Sequence, residues 1–354
     1  ISETPTKKRD RVRSLLLNTA AFRQYYFPHY CSSPSAKFHL KWNKAILANP
    51  NLVAIIMAFR ESAKSTSLGL LDPLHLLAAQ VSDYTNHIQG MKFMLTVGKN
   101  QDAAVDHLGN VQAELEFNQR FINDFGVQKS MAGSWEEGEF ETATGCAFTA
   151  RGRGQSPRGL RFKEQRPDYV FVTDLDDDEL AKNPDRVNKM TDWVIGALYP
   201  AMSILGGRFI MEGNGPFKHM VLRQVLERMQ DLKKSQKGRE VVTATFHDRV
   251  DIIDKKGNPT WPERHTPGII ADKKAFVGYR IFEREYKNNP VESGTVFRNE
   301  WIQYKRMRLD KYDHHLIYID PSFKKSTTSD YKAVKHWAKK GIELHHIKAF
   351  VRQC

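Results

Sequence analysis

An apolar run that passes directly into a polar turn, "NLVAIIMAFRESAKST" (residues 51–66), decides the fold. Its first part has no polar interruption, which is typical of a strand buried on both faces of a parallel sheet. Its last part ends in Lys-Ser-Thr and is followed by "LGLLDPLHLLAAQV" (68–81), which predicts a helix that Pro73 kinks or divides. A strand, a polar turn and a helix in this order predict an α/β protein.

The polar turn matches a phosphate-binding loop only in part. The general pattern GxxxxGK[ST] aligns with residues 58–65, and both of its glycine positions hold alanine, Ala58 and Ala63. Glycine serves there because it accepts a positive φ and lets a phosphate approach the backbone N–H groups. Alanine at a positive φ would cost about 1 kcal/mol, and the helix that follows still favours an anion. The stretch predicts either a nucleotide site or a plain strand-to-helix turn with an incidental Lys64, and an acidic partner on a neighbouring strand distinguishes them.

The segment "RPDYVFVTDLDDDE" (166–179) supplies that acidic partner. Its apolar part predicts a strand that delivers Asp174 to the carboxyl edge of the sheet, where ligands bind in open α/β folds. An ATPase needs one carboxylate associated with Mg²⁺ and a second acid that orients the attacking water. Because Leu175 follows Asp174, the water-orienting acid is Asp176 or, as second choice, Glu179. The alternative is an acid-rich helix N-terminus that favours the helix dipole.

Composition limits the class of protein without naming it. The chain has 354 residues, 40% of them hydrophobic, and can form a full core and two domains. A formal net charge of +13 favours a polyanionic partner, either nucleic acid or an acidic membrane surface. No apolar run is long enough to span a bilayer, and three distant cysteines without a CxxC pair predict neither a disulfide framework nor a zinc site. We expect a basic, soluble, intracellular protein.

In order and spacing, several segments together resemble the large terminase subunit of tailed phages, the ATPase-nuclease that packages viral DNA. The resemblance is carried by "AFRESAKST", "ELEFNQRFINDFG", "ARGRGQSPRGLRF", "RPDYVFVTDLDDDE", "GRFIMEGNGPF" and "YIDPSFKKSTTSDYKAV". It implies a P-loop (ASCE-type) ATPase domain with a mainly parallel sheet, followed by an RNase-H-like α/β nuclease domain that is incomplete here. We expect the ATPase domain at 1–300, a linker at 301–312 and the start of the nuclease domain at 313–354.

The resemblance also assigns roles within the loop. Lys64 would contact the β- and γ-phosphates of ATP, Ser65 would ligate Mg²⁺ with Thr66 beside it, and Arg60 would stabilise the γ-phosphate in cis. Asp174 would be the Mg²⁺-associated acid. The remaining residues of the ATP-binding loop are Glu61, Ser62 and Ala63.

Two further regions have roles that the resemblance implies. Gly213 and Asn214 match the turn that couples hydrolysis to domain movement, with Asn214 where Thr or Ser is commoner. The basic run at 151–166 is a DNA-facing loop, a source of an arginine that reaches a neighbouring subunit's ATP, or a solvated surface. Arg158 is the candidate for that trans arginine, because the following Gly159 would let the backbone approach closely.

In the nuclease domain, Asp320 ends a predicted strand in "HHLIYIDPSF" (314–323), and Asp330 is a possible second acid. RNase-H-like nucleases hold two metal ions with several carboxylates, so Asp320 would bind Mg²⁺ or Mn²⁺.

The resemblance finally implies partners and place. The chain would translocate double-stranded DNA into a procapsid as a homo-oligomeric ring, a pentamer, together with a portal protein and a small terminase subunit. It would work in the cytoplasm of the infected bacterial host, docked on the procapsid and without a membrane partner, and be absent from the mature virion. A helicase-like translocase without nuclease activity and a catalytically inactive DNA-binding scaffold are the alternatives. Asp320 argues against the first, and the retained Lys64, Ser65 and Thr66 argue against the second.

Overall fold

A computed structural model describes residues 3–82, 84–85, 88–129, 133–203, 206–291, 304–321 and 332–352. The chain forms two compact units, residues 1–292 and residues 293–354. The first unit confirms the expected α/β fold class, because helices flank one large, mostly parallel sheet.

Among the described residues of the first unit, eight strands form one sheet. They are β1 (Leu52–Ala58), β2 (Phe93–Gly98), β3 (Trp135–Glu136), β4 (Glu139–Glu141), β5 (Ala147–Gly152), β6 (Tyr169–Thr173), β7 (Arg208–Gly213) and β8 (Ala244–Val250). Their order is β3-β4-β5-β2-β6-β7-β1-β8. From β5 to β8 all neighbours are parallel, and β3 and β4 add an antiparallel edge. Strand β7 therefore lies between the loop strand β1 and the acid strand β6.

Eleven α-helices occur in the described residues. They are α1 (Pro5–Leu17), α2 (Thr19–Tyr26), α3 (Lys37–Ala48), α4 (Lys64–Thr66), α5 (Asp72–Ser82), α6 (Gln101–Phe117), α7 (Gln119–Phe125), α8 (Asp178–Ala181), α9 (Pro184–Trp193), α10 (Val221–Ser235) and α11 (Pro267–Ile281). Short π-helical turns follow α4, α9 and α11. Within the described ranges, no helix has the length and apolar character needed to cross a bilayer.

The helix predicted after the loop is continuous, and a wider π-helical turn lies just before its proline. Helix α4 continues through a π-helical turn (Ser67–Leu71) into α5. Pro73 has no N–H group and cannot donate to the preceding turn, and the N–H of Asp72 reaches back five residues to the carbonyl of Ser67. The wider turn lets one continuous helical segment run from the loop into the core.

A buried ion pair fixes the beginning of α5. The Arg23 guanidinium donates to Asp72 at 2.6 Å and to Ser67 at 2.7 Å, and Asn43 donates to the same carboxylate at 2.7 Å. Arg23 and Asp72 are at most 2% exposed. Charges this deeply buried are tolerated only when they are paired and hydrogen-bonded, so α2, α3 and α5 are held in one arrangement behind the loop.

The two faces of the sheet have separate cores. Alternate residues of β1, Ala54 and Ile56, pack with Phe171 and Ile210 on the face that the helix after the loop covers. Their neighbours along the strands pack on the opposite face, against α9 and α10. The alternation of strand side chains therefore determines which residues at the carboxyl ends of β6 and β7 can face the loop.

The second unit is described as an antiparallel sheet of β9 (His314–Asp320), β10 (Lys332–Lys340) and β11 (Glu343–Arg352), in the order β11-β10-β9. Residues 304–321 and 332–352 contain these strands and one 3-10 turn, and no α-helix. Asp320 is the last residue of β9 and is exposed. Asp330 lies outside the described residues, so the RNase-H-like assignment stays a prediction.

A substitution of Gly69, in the π-helical turn, tests the packing behind the loop. A Cβ atom on Gly69 would lie 2.2 Å from both His107 and the buried ring of Phe171. We expect Gly69→Ala to lower the free energy of unfolding by about 1–3 kcal/mol, because overpacking displaces core side chains. Urea denaturation measures the loss. The matched control is Gly109→Ala in α6, where a Cβ meets nothing within 4 Å; equal stability of the two variants would contradict the packing.

Two buried histidines make the fold sensitive to mild acid. Burial lowers the pKa of His75 to about 4 and that of His39 to about 3. In the unfolded chain a histidine titrates near ~6.5. Below that pH the unfolded state binds more protons, so the free energy of unfolding falls as the pH drops.

The acid sensitivity is tested by His75→Gln. His75 Nε2 lies 2.8 Å from the carbonyl oxygen of Leu16, a contact that a glutamine amide can replace without titrating. Between about pH 7 and pH 5 the variant should lose at least ~1 kcal/mol less free energy of unfolding than the wild type. Urea denaturation at both pH values measures this difference, and identical losses would rule out His75 as a contributor.

Candidate active site

Although the predicted phosphate-binding loop contains no glycine, its backbone includes the positive φ angles that glycine usually adopts. Glu61 has φ 72° and Ala63, the residue before α4, has φ 56°. Ala63 thus takes the left-handed conformation that favours glycine at this position of the pattern. Ala58 is the last residue of β1 and keeps strand geometry. Only one of the two alanine replacements therefore carries a conformational cost.

Contacts from outside the loop hold this backbone in place. The carbonyl oxygen of Ser62 lies 2.7 Å from His39 Nε2. The N–H of Phe59 donates to Val250 at 3.0 Å, and that of Arg60 donates to the carbonyl of Glu285 at 2.8 Å. A left-handed non-glycine residue persists only where the surroundings fix it, and these bonds supply that restraint.

Ala63→Gly tests the strain in the loop. Removing a left-handed alanine saves ~1–2 kcal/mol, and the added freedom of glycine in the unfolded chain costs ~0.5–1 kcal/mol. We expect a net gain of up to ~1.5 kcal/mol in the free energy of unfolding, measured by urea denaturation. The matched control, Ala54→Gly in β1, should lose stability because Ala54 is buried in regular strand geometry. A loss in both variants would show that Ala63 is not strained.

A cleft of about 400 Å³ opens beside the loop, at the carboxyl ends of β1, β6 and β7. Its polar lining includes Arg60, Lys64, Lys99, Asp174, Asp176, Glu212, Asn214 and Glu285. This edge of a parallel sheet is where α/β proteins bind ligands. A larger hollow of about 1160 Å³ lies in the second unit and contains none of the predicted site residues.

Lys64 is the centre of charge in the cleft. It is 7% exposed, and its Nζ lies 3.9 Å from Asp174 and 3.8 Å from Glu212. Two carboxylates thus share one buried ammonium group. The structure brings together Lys64 and Asp174 as the sequence predicts.

Glu212 is a site residue that sequence reasoning missed. It lies one residue before the end of β7 and is 1% exposed. One carboxylate oxygen accepts hydrogen bonds from Ser65 Oγ, at 2.8 Å, and from Thr173 Oγ1, and the other has no hydrogen-bond partner. Burial, followed by the Asp174 charge, raises the pKa of Glu212 to about 7, although Lys64 opposes the shift. An acid at the end of the apolar run "GRFIMEGNGPF" was the signal in the sequence.

The acids that follow Asp174 lie elsewhere than the sequence suggests. Leu175 is 1% exposed and packs in the core. Both oxygens of Asp176 accept backbone N–H groups at the start of α10, at 2.7 and 3.0 Å, and burial raises its pKa. Glu179 is exposed, pairs with Lys182 at 3.7 Å and does not line the cleft. Asp176 caps a helix, and Asp174 remains the acid with an exposed side chain beside Lys64.

A second missed residue, Glu285, connects the loop with the predicted coupling turn. Gly213 ends β7, and the side chain of Asn214 donates to Glu285 at 3.0 Å. Arg60 lies 3.8 Å from the same carboxylate oxygen. Arg60 and Asn214 therefore meet at one acid, contributed by the π-helical turn after α11.

Other predicted residues point away from the cleft or lie apart from it. The Glu61 side chain pairs with Lys273, and Ser62 is buried. Arg158 is exposed and does not line the cleft. Asp320 belongs to the second unit.

No protein-family model and no curated protein matches the chain. Solved structures similar to it include the large terminase ATPase domain of Thermus phage P74-26, with 15% identity over 70% of this chain and 92% of that one, and a TM-score of 0.42. The large terminase of a thermophilic bacteriophage in complex with ADP has 12% identity, covers 90% of this chain and 68% of its own, and has a TM-score of 0.40. The Phi-28 gp11 DNA packaging motor has 9% identity, covers 84% and 80%, and has a TM-score of 0.33. These similarities are distant, so the roles of individual residues rest on the geometry of the site.

Proposed function

We propose that this chain hydrolyses ATP as the large terminase subunit of a viral DNA-packaging motor. One observation carries the ATPase part. Lys64 and Ser65, at the start of a helix, face Asp174 and Glu212 at the carboxyl ends of two neighbouring parallel strands. This combination of a cation, a hydroxyl and two acids is what phosphoryl transfer from a nucleotide requires.

The residues of the cleft have distinct tasks in this proposal. The N-terminus of α4 and the ammonium of Lys64 bind the phosphates, because both attract negative charge. Arg60, exposed at the cleft and held by Glu285, adds positive charge on the γ-phosphate. An acid beside Lys64 orients the attacking water.

The cleft also fits a divalent cation. No group of three or more His, Cys, Asp or Glu side chains that could hold a metal occurs among the described residues. Ser65 and the oxygen of Glu212 that has no partner are instead the kind of ligands that Mg²⁺ uses together with nucleotide phosphates and water. A bound Mg²⁺ would neutralise the charge of the phosphates.

DNA is the proposed substrate of the motor's movement. The net charge of +13 and the basic run at 151–166 suit the phosphates of double-stranded DNA, with binding that weakens as salt rises. We also propose that the chain forms a pentameric ring and acts with a portal protein and a small terminase subunit. It works in the host cytoplasm on the procapsid and does not remain in the mature virion.

A metal-dependent endonuclease in the second unit completes the proposal. Its support is Asp320, which is exposed at the end of β9. Two-metal cleavage needs further carboxylates, and the candidate Asp330 lies outside the described residues. Asp320 would bind Mg²⁺ or Mn²⁺.

Lys64→Ala tests the ATPase site. We expect basal and DNA-stimulated ATP hydrolysis to fall by about 10²-fold or more, because a stabiliser of the transferred phosphoryl group is lost. Phosphate release measures turnover, and circular dichroism verifies the fold, since Lys64 is buried between two carboxylates. The matched control is Lys189→Ala on the exposed side of α9, which should keep basal turnover.

Unchanged turnover in Lys64→Ala would refute the site. DNA binding by the wild type without any turnover would instead favour the inactive scaffold. Separation of DNA strands during hydrolysis would favour the helicase-like translocase.

A further inference from the structure

The register of two neighbouring strands determines which acid faces the loop. Thr173 of β6 and Glu212 of β7 are directly paired in the sheet. Two residues earlier on each strand, Phe171 and Ile210 belong to the core on the face that the loop helix covers. Because strand side chains alternate, Thr173 and Glu212 point to that same face, and Asp174 is one position further on.

The place on the acid strand that faces Ser65 is therefore occupied by a hydroxyl. Thr173 cannot supply a charge to a cation, and its hydroxyl donates to Glu212 instead. Ser65 donates to that same oxygen of Glu212 at 2.8 Å. The carboxylate that meets the loop serine comes from β7, the strand between β1 and β6.

We propose that Glu212 is the carboxylate that acts with Ser65 at the magnesium ion of the bound nucleotide, and that Asp174 orients the attacking water. This assignment rests on the proposed ATPase function and exchanges the part that the sequence resemblance gives to Asp174. With this assignment the site has both of the acids that it needs, although Leu175 rather than an acid follows Asp174.

Burial and contacts separate the two acids. Glu212 is enclosed, and its second oxygen, without a hydrogen-bond partner, lies 3.8 Å from Lys64. A fixed, enclosed carboxylate beside a serine hydroxyl suits a cation. The side chain of Asp174 is 59% exposed and lines the cleft 3.9 Å from Lys64, so water and substrate reach it. Asp176 is not available for this task, because it caps α10.

The experiment measures nucleotide binding separately from hydrolysis. The affinity of a fluorescent ADP analogue is titrated with Mg²⁺ and with EDTA, for the wild type, Glu212→Gln and Asp174→Asn. The control is Glu227→Gln on the exposed side of α10, which removes one carboxylate away from the cleft. Circular dichroism and thermal unfolding verify each fold.

We expect Glu212→Gln to reduce the Mg²⁺-dependent gain in affinity by about tenfold or more. Asp174→Asn and the control should keep that gain within about threefold, while Asp174→Asn loses ATP hydrolysis. Loss of the Mg²⁺ effect in Asp174→Asn overturns the assignment, and this test stands even if Glu212→Gln does not fold, because Asp174 is exposed. Full retention of the effect in a folded Glu212→Gln also overturns it. Wild-type chain that binds no nucleotide would refute the proposed function itself, which is a different result.

Discussion

The site depends on the contacts that surround one buried carboxylate, that of Glu212, which is enclosed between two strands and a helix. Burying a charge costs roughly several kcal/mol unless hydrogen-bond donors and an opposite charge surround it. Glu212 receives two hydroxyl donors and lies beside one ammonium group. Each comes from a segment that must already be folded: β6 supplies Thr173, and the loop helix supplies Ser65 and Lys64. The same contacts that make the buried acid tolerable therefore align β6, β7 and the loop.

Much of the fold could be predicted because its signals are local. The apolar run of β1, the turn at Lys64 and the strand that ends at Asp174 each lie within a few neighbouring residues. The structure confirms the fold class and brings Lys64 to Asp174. The effect of Pro73 could also be anticipated, although a wider helical turn absorbs it.

The remaining features of the site depend on which strands are neighbours. Ser65 and Glu212 are 147 residues apart in sequence, and they meet only because β7 lies between β1 and β6. The assignment of Asp176 has the same difficulty, because the two N–H groups that occupy it belong to a helix about forty-five residues further along. The sequence of one segment shows how many acids it contains but not which way their side chains point. Glu285 could not be inferred at all, since nothing in its own segment points to the loop.

The left-handed Ala63 has a consequence for how such loops are recognised in sequences. Glycine patterns detect loops whose shape comes from the freedom of their own backbone. Here the shape is imposed from outside, by His39, the end of β8 and the backbone of Glu285. Of these supports only His39 acts through its side chain, so natural variation is expected to be constrained at His39 rather than at the loop's glycine positions. A search for related sites should look for the surrounding supports as well as for the loop.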